Sequence, residues 1–449
     1  MKMRSSLLIL AVGFVATSAM AWGDHRFPSY RAFERMPEVA RAAPVKVESL
    51  QEFLRVEETG VEKLLAQQQA WAEGNLQYYP VLPTALAFKA NPSRDDETRK
   101  KAFLMALRVA PNYPFALYFQ GDPRKPRPAG APLVHGAVNT LPMSAGVAFS
   151  YFPLQSNQTI DALTVLATAS EEPDNGVDIN LWSDNPSDWG QLMGLGAQPF
   201  GNPSLPYSSQ APFHMGFYHE SPVIYKAAGF VTHTFPLLRH HQFSSLSILA
   251  FRTGHPYWGW RFAGLALHYL QDLTQPFHAS LSPGDGTAKV IGINVLAMVG
   301  LPRWKDELII LLSNRHLALE SYQATAMRRN ATLQRDSALE VSLRAMDKDG
   351  TYPAWSDNYL RDTVSAQAAA KGAELVQTLL NSMPKTYVSD PKFDFGPVSS
   401  TIALNDEVET AASSEARQHL ESTIAELLGN LGAHSRNAIR GILRVSSQP

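Results

Sequence analysis

The chain has 449 residues, 45% of them hydrophobic and 18% charged, a globular balance that excludes a disordered or fibrous polymer. A formal charge of −2 excludes the overall basic excess that drives nucleic-acid binding, leaving only a local patch for that role. With no cysteine in the chain, disulfides and thiolate ligands are excluded, so any metal site must use nitrogen and oxygen donors.

Residues 1–21 stand apart from the rest. Lys2 and Arg4 form a positive start, Leu7 to Ala16 an apolar run, and Ala19-Met20-Ala21 a small-x-small cleavage site. The run is shorter than the ~20 residues that a membrane span needs, so a cleaved signal is expected rather than an anchor. The mature chain is then expected to begin at Trp22 and to be exported, either to the periplasm or outside the cell. Loss of the two cations moves the formal charge from −2 to −4.

Trp22-Gly-Asp-His25 opens that mature chain, followed by Tyr30 and Phe33 at apolar spacing. A helix is expected from Ser49, with Glu52 completing a capping box, through Leu50, Phe53, Leu54, Val61, Leu64 and Leu65. A second follows the acids Asp95, Asp96 and Glu97 and ends before Pro111. The cationic, proline-rich stretch from Asp122 to Pro132 reads as an exposed connector, and 133–165 carries no assignable period. From Glu171 to Gln210 the chain is dense in Asp, Asn, Gly, Pro and Ser, a long irregular segment of the kind that is usually functional or disordered.

Helices are expected at about 222–250 and 255–275. Thr287 to Leu301 is apolar and broken by glycine, and Trp304 to Ala326 reads as a further helix. Thr363 to Met383 is Ala-rich and closed by Pro384, and Ser414 to Leu431 is amphipathic. No internal repeat or sharp change of composition appears. The expectation is a mostly α-helical catalytic unit with long loops.

The most informative stretch is Ala266-Leu-His268-Tyr-Leu-Gln-Asp272-Leu-Thr-Gln-Pro276-Phe-His278. Four-residue spacing puts the His268 imidazole and the Asp272 carboxylate on one helical face. Pro276 ends the helix and lets His278 return toward the same space. Imidazole and carboxylate without thiol suit zinc in a catalytic role, and a hydrogen-bonded His–Asp pair in a buried helix is the plain alternative. His316 and Glu320 repeat the four-residue spacing, which taken alone marks a surface pair worth about 0.3–0.5 kcal/mol. His233, His240, His241, His255, His419 and His434 read as core or surface histidines.

In chain order Trp22, His25, Asp174, His214, His268, Asp272, His278, His316 and Glu320 resemble the ligand set of the zinc-dependent phospholipase C and single-strand-specific nuclease superfamily. The motifs His268-x3-Asp272-x5-His278 and His316-x3-Glu320 carry the resemblance. So does Trp22 directly after the expected cleavage site, and, more softly, Gly254-His-Pro-Tyr-Trp-Gly-Trp260 leading into the His268 helix. It covers about residues 22–35 and 165–330. It implies an all-α, multi-helix fold with long loops and extra C-terminal helices, with a catalytic domain over 22–330 and a helical extension over 331–449 packed on it.

It also implies three zinc ions in a cleft, one chelated by the free amine and carbonyl oxygen of the first mature residue. Asp272 would bridge two ions, sharing one with His268, His214 and Asp174 and the other with Trp22 and His25. His278, His316 and Glu320 would hold the third. Asp174 would touch both metal and attacking water, orienting the water or taking its proton. Zinc lowers the pKa of bound water to about 7. A ligating amine must lose its proton, so a precursor that keeps residues 1–21 is expected to be inactive or poorly active. His25 lies only three residues after Trp22, closer than the resemblance leads one to expect. His219 competes with His214 and Asp178 with Asp174, and both choices stay open in the sequence.

For substrate, the resemblance implies a phosphoester. Glu320 in the last motif, the absence of a basic excess and the apolar stretch Val290 to Leu301 lean toward phospholipase C acting on phosphatidylcholine-like lipids at a membrane surface. That stretch is more often a plain core segment. The alternative is a single-strand nuclease or 3′-nucleotidase, with Tyr218, Tyr257, Trp258 and Trp260 as base platforms. A non-catalytic exported zinc protein is the third reading.

Overall fold

The computed structural model describes residues 24–142, 150–202, 205 and 207–448. The expected signal at 1–21 and Trp22 lie outside them. The fold class is all-α: 59% of the structure is helical and 2% is strand. The described strands form two short antiparallel pairs, Val45–Lys46 with Thr159–Ile160 and Tyr118–Phe119 with Phe152–Pro153. These close loops and do not build a layer.

The centre of the molecule is the helix Pro256–Asp272. Every residue from Tyr257 to Asp272 is buried, so this helix is wrapped on every side, its few polar side chains included. Pro236–Arg252 and Ala162–Ala169 pack along it. Gly264 permits the second of these contacts, because a Cβ there would come within 2.5 Å of the Leu166 carbonyl oxygen and of the Ala169 Cβ. The close approach brings the end of Ala162–Ala169 to the side of His268. From there the chain turns through Glu172–Asn175, docked on the central helix by a buried, two-pronged ion pair between Arg261 and Glu172 at 2.5 and 2.9 Å.

Several local signals act as expected. Ser49 and Glu52 form the capping box, and Asp95 accepts from the Thr98 amide. The single helix expected after Ser49 is in fact two, Leu50–Val56 and Glu58–Asn75. The helix expected at 222–250 is also broken, into Pro222–Ala227, a short turn at Gly229–Thr232 and Pro236–Arg252. Proline is tolerated at the first turn of a helix but not inside one, so Pro236 opens a new helix. The Ala-rich stretch is likewise divided, into Leu360–Ser365, Ala366–Ala370 and Gly372–Ser382. At the N-terminal side Arg26–Phe33 is a helix that the sequence reading did not assign.

The segments after residue 330 divide between a second buried cluster, with Leu317 and Leu319, and the core around the central helix. Trp355, Tyr359, Ala438, Ile439 and Ile442 belong to one buried cluster with Trp258, Phe262 and Leu270 of the central helix. The C-terminal helix runs over Ser414–Ser446, fifteen residues beyond the expected Leu431. Gly432 interrupts its apolar pattern in sequence, yet a Cβ there would come within 2.5 Å of the Leu343 carbonyl oxygen, so the glycine serves close packing on Ala338–Arg344.

Candidate metal centre

Three routes of the chain converge at the C-terminal end of the central helix. His25 stands immediately before Arg26–Phe33, Asp174 lies in the turn after Ala162–Ala169, and His214 ends the short helix Ala211–His214. His268 and Asp272 face them from the last turns of Pro256–Asp272. Beyond that helix, Gln275 accepts from the Phe277 amide, and Pro276–Ala279 turns His278 back toward Asp272. His316 and Glu320 are presented by the long helix Arg303–Thr332.

Among the described residues, three groups place one ligand atom from each member within 4.8 Å of the others. They are His25, His268 and Asp272; Asp174, His214 and His268; and His278, His316 and Glu320. The Asp272 carboxylate lies between the first two. Its Oδ1 is 3.2 Å from His25 Nε2, while Oδ2 is 3.0 Å from His214 Nδ1 and 3.3 Å from His268 Nε2. Asp174 stands one step back, with Oδ1 3.6 Å from His268 Nε2 and Oδ2 4.0 Å from His25 Nε2. In the third group His278 Nε2 is 3.0 Å from His316 Nε2, and His316 Nε2 is 2.6 Å from Glu320 Oε1.

The far side of each ring explains why the near side points inward. His268 Nδ1 donates to the Ser170 carbonyl at 2.8 Å, His278 Nδ1 to the His214 carbonyl at 2.8 Å, and His25 Nδ1 to Gln271 Oε1 at 2.9 Å. A carbonyl oxygen can only accept, so Nδ1 carries the proton in His268 and His278. Neutral rings of that kind present an Nε2 lone pair to the cluster. Gln271 is held in turn by donation to Ser29 and Ser435 hydroxyls, so the C-terminal helix supports this centre. Gln275 donates to Glu320 at 3.1 Å.

This arrangement fits metal ions. His25 Nε2, Asp174 Oδ2 and Asp272 Oδ1 are buried without a hydrogen bond, a costly condition that a shared cation relieves. Protonation shows the same strain. Burial alone would lower the His25 and His214 imidazoles, yet the carboxylates around them hold His25 up at about 9 and His214 at about 10. Burial raises Asp174 to about 6, against the pull of His25 and His214. Burial pushes His268 well below 6.5, leaving it neutral.

Of the two open choices, His214 and Asp174 are the members brought into the groups. His219 instead hydrogen-bonds to the Arg361 carbonyl and the Ser365 hydroxyl. Asp178 lies behind His214, 3.5 Å from its Nε2, and is held by Arg239 and the Tyr269 hydroxyl. The sequence reading missed the supporting residues Ser170, Gln271 and Gln275, although Gln271 and Gln275 lie inside its own most informative stretch.

Next to the third group opens a cleft of about 510 Å3. Asp174, His214, His278, His316 and Glu320 reach its inner end, and its walls are largely apolar, including Phe200, Phe217, Ile224, Val290, Ile309 and Leu312. The stretch Val290 to Leu301 forms one wall as the helix Thr287–Met298, and only Val290 in that helix is buried. Its more common reading as plain core is therefore corrected. Tyr257, Trp258 and Trp260 are core residues with 5% exposure or less, and the Tyr218 hydroxyl accepts from the Leu237 amide. None of the four lines the cleft. No family model, no curated protein and no solved structure is matched by this chain.

Proposed function

We propose that this protein is a zinc-dependent phosphodiesterase, and that its substrate is a phosphatidylcholine-like lipid cut on the glycerol side of the phosphate. The observation that carries the reading is an all-nitrogen-and-oxygen cluster of eight convergent side chains at the inner end of an apolar cleft. Trp22, three residues before His25, would complete the set as the first residue of an exported mature chain.

Three zinc ions would be held by His25 and Asp272 with Trp22, by Asp174, His214, His268 and Asp272, and by His278, His316 and Glu320. Zinc supplies water activation near neutral pH and charge neutralisation for a phosphoryl group. The chain's own residues supply the rest. Asp272 spans the first two groups through its two oxygens, so it sets their separation. Asp174 lines the cleft with a buried carboxylate beside His214 and His268, placed to orient an attacking water or take its proton. The apolar walls exclude water from that exchange and accept acyl chains.

The cleft also favours lipid over a nucleic-acid strand. Polyanion binding draws on cations and stacking platforms, whereas among the described residues Lys305 is the one lysine or arginine lining this cleft and the four aromatic candidates lie elsewhere.

The test offers zinc-loaded protein beginning at Trp22 phosphatidylcholine and single-stranded DNA side by side. Phosphocholine release that stops with chelator and returns with zinc supports the proposal. Nucleotide release with intact lipid replaces it with the nuclease, and zinc binding without either hydrolysis replaces it with a non-catalytic metal protein.

A further inference from the structure

The cleft wall has a second face. Beyond Val290, the helix Thr287–Met298 leaves its apolar side chains open, and the turn that follows is more open still. Met298 is 85% exposed, Val299 69%, Leu301 53% and Trp304 54%. The chain reverses at Gly300, with φ at +90°, before entering Arg303–Thr332. A helix, a tight turn and a second helix thus carry an exposed apolar tip. Phe230 and Val223, at 41% and 56% exposure, add to it from the segment Pro222–Thr232 that packs against the same helix. Isolated exposed apolar residues mean little, but a contiguous group of this size marks a contact surface.

We infer that this tip is a membrane-docking surface that seats the protein on a phosphatidylcholine bilayer and opens the apolar cleft directly onto it. The inference rests on the lipid reading of the cleft, and three further observations select a bilayer as the occupant. The first is continuity. Val290, Ile291, Val295 and Met298 of this helix line the cleft that ends at His278 and His316, so a lipid passing inward from the tip stays against apolar surface. The second is the boundary of the patch. Trp304 lies between Arg303 and Lys305, with the Arg303 guanidinium 5.9 Å from its ring, and Lys289 lies one helix earlier. An aromatic ring flanked by cations is the composition that settles at the headgroup level of a bilayer. The third is where the exposure peaks: Met298 and Val299, at 85% and 69%, stand at the helix end and the turn, where a loop end can enter a fluid layer. No described helix is long and apolar enough to cross a membrane, so contact with lipid would be made from one side.

The experiment compares the full zinc-loaded chain with a Val299→Ser, Leu301→Ser, Trp304→Ser variant, none of whose changed residues lines the cleft. Flotation with phosphatidylcholine vesicles reads docking, and hydrolysis of bis(p-nitrophenyl) phosphate, a small soluble diester, reads the centre alone. The expected result is vesicle affinity reduced about tenfold or more with soluble-diester turnover unchanged. Single Val299→Ser and Trp304→Ser variants carry the same comparison should the triple variant fail to fold. Wild-type protein that does not float, or variants that float equally well, overturns the inference. So does a dimer that the substitutions dissolve without any change in flotation, which would assign the tip to a second copy of this chain. Patch-dependent flotation without phosphatidylcholine hydrolysis leaves the docking surface standing and removes the proposed substrate. Hydrolysis without patch-dependent flotation does the reverse.

Discussion

His278 Nε2 and His316 Nε2 lie 3.0 Å apart, although 38 residues separate them in the chain. Since His278 Nδ1 donates to the His214 carbonyl, its Nε2 is turned toward the second ring and Glu320 and offers a lone pair there once the ring is neutral. Two imidazoles and a carboxylate meeting in this way form a small cage with nitrogen and oxygen donors on one side and the apolar cleft on the other.

That cage should be separable from the rest of the centre. In zinc-loaded protein, His316→Ala is expected to bind about one ion fewer per chain than wild type. Asp272→Asn is expected to lose more, because both Asp272 oxygens face ligand nitrogens of the other two groups. Metal analysis after gel filtration checks the stoichiometries, and equal losses in the two variants would contradict a bridging position for Asp272.

Support from outside the groups should matter nearly as much. Gln271→Leu keeps the bulk of the side chain but removes the acceptor for His25 Nδ1. Supporting residues of this kind typically affect metal affinity by about 10–100-fold. Zinc competition with a chromophoric chelator is expected to show a loss in that range with the circular dichroism spectrum unchanged. An unaltered affinity would mean that His25 is oriented by its backbone alone.

Zinc affinity should rise with pH. In the metal-free protein His25 and His214 hold protons up to about 9 and about 10, with Asp272 as a main cause in each. A ligating imidazole must be neutral, so binding near pH 7 displaces these protons and releases them to solvent. The apparent affinity is expected to increase steadily up to about pH 9. Calorimetric titrations in buffers of different ionisation heat should report proton release, and a pH-independent affinity would count against His25 and His214 as ligands.

Two buried histidines outside the centre add acid sensitivity to the metal-free fold. His240 Nδ1 donates to the Ala266 carbonyl while Nε2 accepts from the Trp355 indole, which can only donate. His434 meets the Tyr359 hydroxyl and Gln367. Burial lowers His240 to about 4 and His434 to about 3. Both lie below the unfolded value near 6.5, so the unfolded chain binds more protons as pH falls through 6.5 toward those values. The stability they contribute is complete above about 6.5 and is lost below it, on the order of 3 kcal/mol for His240 and 5 kcal/mol for His434 at full effect. Measured with chelator, the urea midpoint of His434→Gln is expected to gain on that of wild type as pH falls from about 7 to about 5. An equal slope in the variant would remove His434 from this account.

The cleft offers a substrate test independent of the metals. Leu312 lines its wall, and Leu312→Arg would set a cation among apolar side chains, disfavouring an acyl chain there. Long-chain phosphatidylcholine turnover is expected to fall about tenfold or more, with the small diester little changed. A parallel loss on both substrates would place the effect in the metal centre.

Much of the helical class and part of the centre were legible in the sequence because they depend on local geometry. A four-residue spacing puts His268 beside Asp272 and His316 beside Glu320 in any helix, and a capping box or an N-terminal acid run acts within a few residues. Helix breaks were less legible. Pro236 divides a stretch that reads as one helix in sequence, while Gly432 interrupts a pattern that the helix carries through to Ser446.

What only the tertiary structure decided is which distant residues meet. His214 and His219 share one short aromatic segment, and nothing local distinguishes them. The packing of that segment turns the first toward Asp272 and the second toward Arg361. Asp174 and Asp178 divide in the same way, because the buried Arg239 claims Asp178 and leaves Asp174 facing the cleft. The exposure of Met298, Val299 and Trp304 was equally hidden, since hydrophobicity alone cannot say whether an apolar helix has a neighbour. By itself the sequence determined the kinds of donor available and their spacing along single helices. Their convergence, the apolar cleft beside it and the open tip at its edge come from contacts between segments far apart in the chain, and such contacts leave no periodic trace in sequence.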